Sequence, residues 1–152
     1  MKSPYYIRPF RMTDLDAVLA VEDASFGADA YDRNLFAELS SRCGSLFLVA
    51  GAESTVRAYM ITATAVRRAR LSAELVSVAV GPKCRRQGIA SALMRSTLRR
   101  LRRRRVQRFT LAVRVSNRQA QAFYARFGFE KLRRLRRYYR DGEDALILRR
   151  LL

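Results

Sequence analysis

Apolar residues change period several times along the chain, and each change marks an element. Residues 5–10 predict a short strand. Thr13-Asp14-Leu15-Asp16 has the composition of a helix cap, and Leu15, Val18, Leu19 and Glu22 follow at helical spacing, predicting a first helix that ends near Ser25. Phe26 to Asp32, with Gly27 and small residues, predicts a loop, and Leu35, Phe36 and Leu39 predict a second amphipathic helix. Residues 45–51, 55–65 and 72–81 are apolar or alternating and rich in Val, Leu, Ile and Thr. Gly51-Ala52-Glu53 and the basic stretch Arg67 to Arg70 separate them, so they predict three strands in an antiparallel meander. From Gly88 to Arg105 the period becomes helical, with Ile89, Leu93 and Leu101 on one line and Ala90, Met94 and Leu98 beside it. A strand at 107–115, a helix from about Asn117 to Phe127 stopped by Gly128, and strands near 129–139 and 144–150 complete the series. This mixed order predicts an α/β fold with helices on both faces of a mixed sheet.

Composition narrows the picture. At 152 residues, without internal repeat or linker, the chain is expected to be a single domain over 1–152. It is 49% hydrophobic and 29% charged, in the globular range despite a net charge of +18. The basic excess is nearly all arginine, with lysine only at Lys2, Lys83 and Lys131, and such a skew reflects genome base composition as readily as a polyanionic partner. No apolar run is long enough for a membrane span and MKSPYYIRPF lacks a secretory h-region, so a cytoplasmic protein without membrane contact is expected. Cys43 and Cys84 lack CxxC spacing and the chain has no histidine. Zinc ligation and Ser-His or Cys-His catalysis are therefore not expected, and any general base must be a carboxylate, a tyrosine or water.

The most informative segment is Val78-Ala79-Val80-Gly81-Pro82-Lys83-Cys84-Arg85-Arg86-Gln87-Gly88-Ile89-Ala90, where a strand passes through a basic turn into the long helix. The first N–H groups of a helix lack intrahelical partners and sit at the positive end of its dipole, so such a turn suits a pyrophosphate. Gly88 permits close backbone approach, Ala90 avoids crowding, and Arg85 and Arg86 add charge.

Arg85-Arg86-Gln87-Gly88-Ile89-Ala90 resembles the coenzyme A pyrophosphate loop of the GNAT acetyltransferases. Val113-Arg114-Val115-Ser116-Asn117 with Ala122-Phe123-Tyr124-Ala125-Arg126-Phe127-Gly128-Phe129 is similar to that family's closing segment. Arg137-Tyr138-Tyr139-Arg140-Asp141-Gly142-Glu143-Asp144-Ala145 resembles the ending of the branch that acetylates protein N-termini, including the ribosomal-protein alanine acetyltransferases. The likeness spans roughly residues 5 to 150. It implies a mostly antiparallel sheet of about six to seven strands, about four helices, splayed central strands, and acetyl-CoA as co-substrate without a metal.

For the site, the resemblance implies that Val78, Ala79 and Val80 hold the acetyl and pantetheine arms. Arg85, Arg86, Gln87, Gly88, Ile89, Ala90 and Ser91 hold the pyrophosphate, Asn117 contacts the cofactor, and Tyr124 is the general acid. Spacing alone reads Tyr124 as a core aromatic beside Phe123 and Phe127. Relatives of the ribosomal-protein branch carry a base where this chain has Ala112. Glu74 is the substitute that the likeness of Ala73 to Val80 to the histone-lysine branch implies, sharing a face with Val76, Val78 and Val80 on an alternating strand; it reads equally well as a glutamate at a strand's wet end. Phe26, Asp29 and Tyr31 in the loop and Tyr138 near the chain's end are candidates for shaping the acceptor groove. Cys84 lies beside the turn without a histidine to activate it. The expected acceptor is a protein or peptide N-terminus, with a small amine or internal lysine as the alternative and a silent acyl-CoA or RNA-binding protein as a further one. Runs at Arg99 to Arg108 and Arg133 to Arg140 offer possible contact with ribosomal RNA.

Overall fold

The computed structural model describes residues 5–152. Strands are β1 (Tyr6–Pro9), β2 (Phe47–Ala52), β3 (Thr55–Arg67), β4 (Arg70–Val80), β5 (Arg108–Arg114), β6 (Glu130–Leu135) and β7 (Ala145–Leu151); helices are α1 (Leu15–Phe26), α2 (Arg33–Cys43), α3 (Ile89–Arg103) and α4 (Arg118–Arg126). The strands form one sheet in the order β1-β2-β3-β4-β5-β7-β6. The β1/β2, β2/β3, β5/β7 and β6/β7 pairs are antiparallel, and β4/β5 is parallel.

One predicted break is tighter than the sequence suggested and another is wider. The basic stretch is a two-residue turn, Arg68-Ala69, with φ of 51° and 62°, so β3 runs on to Arg67 and β4 starts at Arg70. The predicted strand at 129–139 stops at Leu135, because Arg137 turns left-handed at φ 51° and its N–H donates to Asp144 Oδ1 at 3.0 Å.

Two compact units share β3 and β4. The first comprises residues 1–63 and 76–104. Its core joins Leu15, Val18 and Val21 of α1, Phe36 and Leu39 of α2, and Phe47, Val49, Tyr59, Ile61 and Ala79 of the strands. The Phe36 ring meets Tyr59 edge-on at 5.6 Å. Each such fully buried large side chain contributes roughly 1.5–3 kcal/mol. Between Tyr59 and Ile61, Met60 points the other way and its sulfur accepts the Thr97 hydroxyl of α3 at 3.3 Å, so α1 and α2 cover one face of these strands and α3 the other. Arg8 clamps Asp14 bidentately at 2.7 and 2.8 Å, fixing β1 to the start of α1.

The second unit comprises residues 64–75 and 105–152. Phe109, Leu111 and Val113 alternate inward along β5, and Phe109 packs on Phe129 at 5.4 Å. Strand β6 is the edge of the sheet, exposed over most of its length, with a register shift at Lys131/Arg133. A bulged, cationic edge resists pairing with foreign strands, which gives Arg133 and Arg134 of the second arginine run a structural use. Pairing of β4 with β5 spans only Ser72–Arg108, Ala73–Phe109 and Glu74–Thr110, although both strands continue, which is the splay the family resemblance implies.

Candidate active site

In the first unit, β4 ends at Val80 and passes through a one-turn 3-10 segment, Pro82–Cys84, into the turn before α3. The Gly81 N–H donates to the Arg57 carbonyl at 2.8 Å, and the Arg85 Nε–H to the Val80 carbonyl at 3.2 Å, fixing the course of the turn. Two of its residues are left-handed, Arg86 at φ 63° and Gly88 at φ 79°. An arginine in that region costs about 1–2 kcal/mol, strain of the kind that collects at ligand-holding loops. Gly88 is the cap residue of α3, and no side chain caps the helix there. The first N–H groups of a 15-residue helix are thus left without a side-chain partner. A Cβ on Gly88 would meet nothing within 4 Å, so the space beside this cap residue is open. Arg85, Arg86 and Gln87 are exposed beside it, and the Gln87 Oε1 accepts the Tyr5 hydroxyl. Ile89 is buried and Ala90 and Ser91 are half-buried, so from this side the helix presents backbone and small side chains. These residues fit a pyrophosphate. On β4, no ladder to β5 forms beyond Glu74, which leaves the β5-facing backbone of Val78, Ala79 and Val80 without strand partners on that side.

The same unit holds a polar chain that reading the sequence missed. Glu22, on α1, is 1% exposed inside the apolar core. Its Oε1 accepts the Tyr31 backbone N–H at 3.0 Å, and its Oε2 accepts the Tyr59 hydroxyl. Tyr59 Oη lies 2.9 Å from Ser77 Oγ of β4. Burial, and then the bond to Glu22, push the Tyr59 hydroxyl well above the ordinary tyrosine range, so it keeps its proton. A signal was present: Glu22 stands on the apolar stripe of α1, where a carboxylate needs a buried partner. Tyr31 is half-buried and its ring packs on Phe36 at 5.9 Å, whereas Phe26 is 42% exposed. Val76 packs against the core cluster that contains Tyr59, and Ser77 bonds Tyr59 itself, so the strict alternation expected of β4 is interrupted at 76–77. Cys84 is a buried free thiol.

In the second unit, Tyr124 of α4 is buried against Phe123 and Phe129, with ring centroids at 5.3 and 5.8 Å. Burial, aided by Tyr139, pushes its hydroxyl up to about 12, so it is a proton donor throughout the neutral range. The Asn117 Oδ1 accepts the Ala120 N–H at 3.1 Å and caps α4, leaving the amide nitrogen for other partners. Glu74 is exposed on β4, and Ala112 pairs with Ile147 across β5 and β7. Tyr138 is 49% exposed and meets Tyr139 edge-on at 5.0 Å.

The Asp141-Gly142-Glu143-Asp144 ending acts as a clamp. Arg114 donates to Asp141 at 2.8 Å and to Glu143 at 2.9 Å, and lies over the Tyr139 ring at 4.1 Å. The Ser116 N–H donates to Glu143 Oε2 at 2.9 Å and the Glu143 N–H to Asp141 Oδ1 at 3.0 Å. Hydrogen bonds from Ser116 and then Arg114 hold the Glu143 carboxyl below the usual carboxylate range; the Glu143 backbone and then Arg114 do the same for Asp141. Because both values are lowered by folding, the clamp is complete above the ordinary carboxylate value of about 4 and is lost as pH falls through the lower folded values. Hydrogen-exchange protection of the Ser116 and Glu143 amides is therefore expected to fall below about pH 4 while that of Leu111 persists. Equal loss at all three would show global unfolding instead of release of this turn.

The acetyltransferase (GNAT) family model matches residues 12–129. An N-alpha-acetyltransferase of Sulfurisphaera tokodaii is 29% identical over 153 aligned positions, covering 95% of this chain and 91% of that protein. Among solved structures, Ard1 from Thermoplasma volcanium superposes with a TM-score of 0.90 at 27% identity, covering 98% of each chain. The ribosomal-protein-S18-alanine N-acetyltransferase from Escherichia coli superposes with a TM-score of 0.82 at 30% identity, covering 97% of this chain and 93% of that one. With an open seven-stranded sheet, a basic turn before an uncapped helix and a match over most of its length, the chain belongs to the GNAT acetyltransferase family, whose members draw the acetyl group from acetyl-coenzyme A.

Proposed function

We propose that this chain, acting as one domain over residues 1–152, acetylates the N-terminal α-amine of a protein or peptide by direct transfer. The observation that carries the cofactor half of this reading is the uncapped start of α3 behind the left-handed Arg86 and Gly88. The names of its relatives as N-alpha- and ribosomal-protein alanine acetyltransferases support the acceptor half. Bound acetyl-coenzyme A supplies an activated acetyl thioester. Backbone N–H groups from Gly88 to Ser91, with Arg85, Arg86 and Gln87, hold its pyrophosphate, and the β5-facing backbone of Val78 to Val80 holds the pantetheine and acetyl arms. Asn117 contributes its amide nitrogen to the cofactor.

Tyr124 donates its hydroxyl proton toward the departing sulfur. A hydroxyl raised to about 12 is a weaker acid than a thiol near 8.5, so its contribution is a hydrogen bond to developing negative charge and not protonation in advance. Glu74, exposed on β4, takes up the proton that the amine loses, through water. A distant base suffices for an α-amine. With a pKa of about 8, roughly a tenth is neutral at pH 7, against under about 0.1% of lysine side chains near 10.4. Phe26, Tyr31 and Tyr138 flank the acceptor.

Thiol release from acetyl-coenzyme A, followed with short peptides whose N-termini are free or blocked, tests this reading. Turnover is expected with the free peptides alone. Equal turnover of a blocked peptide through its lysine, or of a small polyamine, would move the acceptor to those classes.

A further inference from the structure

Glu22, Tyr59 and Ser77 form a hydrogen-bonded chain that joins α1, β3 and β4 within the first unit. Its direction follows from proton counting. A carboxylate only accepts, and Tyr59 has one hydroxyl proton, which burial keeps in place and Glu22 receives. Tyr59 Oη is thereby left as an acceptor, and the Ser77 hydroxyl must donate to it across 2.9 Å. The Ser77 proton is thus committed inward, and its lone pairs remain for a donor from outside. One charge-assisted bond from Tyr59 to the carboxylate, polarising the hydroxyl–hydroxyl bond in front of it, makes that oxygen a stronger acceptor than an isolated serine.

The carboxylate itself is costly. Glu22 is 1% exposed, and none of the ion pairs among the described residues involves it. An apolar residue at this point of the core would avoid the desolvation penalty of a buried charge. The titratable side chains packed around it are Tyr59 from β3, Tyr31 from the segment after α1, and Cys43 from α2 in the same core, none of them cationic. The chain ends where chemistry is proposed, since Ser77 is half-buried and directly precedes Val78.

We propose that Ser77 anchors the acceptor amine, its oxygen accepting an N–H of the incoming amine, and that Tyr59 and Glu22 are positioning residues that act through it. Negative charge behind an oriented hydroxyl suits an incoming ammonium group, the cationic form that an amine takes near neutral pH and that a hydroxyl or thiol acceptor cannot take. The inference rests on the placement of the acetyl arm at Val78 to Val80. Glu22 also holds the Tyr31 backbone, so the same carboxylate links the anchor to the segment assigned to flanking the acceptor.

The test is steady-state kinetics on wild type, Ser77→Ala, Ser77→Thr, Glu22→Gln and the Ser77→Ala/Glu22→Gln pair. The acceptors are a free-N-terminus peptide, a blocked lysyl peptide and a polyamine, and acetyl-coenzyme A binding and melting temperature are measured alongside. Ser77→Ala is expected to raise the acceptor KM about 10-fold or more while leaving the acetyl-coenzyme A Kd within about twofold, and Ser77→Thr to restore it. Because Glu22 acts through Ser77, the double variant is expected to match Ser77→Ala in acceptor KM, although Glu22→Gln alone also raises it. Additive effects, or an unchanged acceptor KM in Ser77→Ala, would overturn the anchor. If wild type acetylates only lysine or polyamine, the N-terminal reading fails and the anchor is judged by the same ratios on that amine. Absence of turnover with every amine would sink both.

Discussion

Tyr124→Phe is expected to lower kcat by about 100-fold or more while acetyl-coenzyme A still binds with a Kd within a few fold of wild type. The substitution keeps the ring that packs against Phe123 and Phe129, so α4 and the Phe129 contact survive, and only the hydroxyl is lost. A role confined to packing predicts the opposite pattern, a small kcat change with some loss of stability. Dependence on the leaving group separates the two further. Acyl donors whose thiols are more acidic need less help at the sulfur, so the defect of Tyr124→Phe should shrink with such donors if the hydroxyl serves the departing thiolate. A defect independent of thiol acidity would assign Tyr124 to the core.

Gly88→Val is expected to have the second large effect, a rise of roughly 5- to 150-fold in the acetyl-coenzyme A Kd. This corresponds to about 1–3 kcal/mol of strain for a side chain forced into the left-handed region. The φ of 79° at Gly88 suits glycine, and a β-branched residue is least able to adopt it. Nothing lies within 4 Å of a Cβ at that point, so the variant meets no clash within the protein and should fold. Its cost falls on the conformation that turns the first N–H groups of α3 outward, and its side chain would occupy the space a pyrophosphate needs. Gly142→Ala provides the control, because Gly142 is also left-handed, at φ 90°, in the turn before β7. It should lower the melting temperature without changing cofactor affinity. Isothermal titration of both variants decides the matter, and equal affinity for Gly88→Val and wild type would remove the turn from the cofactor site.

Local features were legible in the sequence because they depend on residues a few positions apart. The stripe of Ile89, Leu93, Met94, Leu98 and Leu101 became the buried face of α3, and the turn from Gly81 to Gly88 stands between strand and helix as the motif required. The Asn117 and Tyr124 spacing also held, both lying along α4, but the structure gives the Asn117 side chain a capping duty in addition to the proposed one. The similarity of the Asp141 to Asp144 stretch to one branch of the family was visible. That its acids clamp Arg114, at 27 and 29 residues' separation, was not.

The order of strands and helices, the basic turn before α3 and the family were all legible along the chain, since hydrophobic period and short motifs are properties of neighbouring residues. Tertiary structure decided which polar groups are buried together. Glu22 and Tyr59 are 37 positions apart and Tyr59 and Ser77 are 18 apart, and only the packing of α1 on the sheet brings the carboxylate to the tyrosine. The same holds for the brief β4/β5 pairing, which depends on strand register and not on the composition of either strand. A periodic pattern says that a position faces inward, but the partner it meets there is set by the global path of the chain, through long-range contacts that no local spacing encodes.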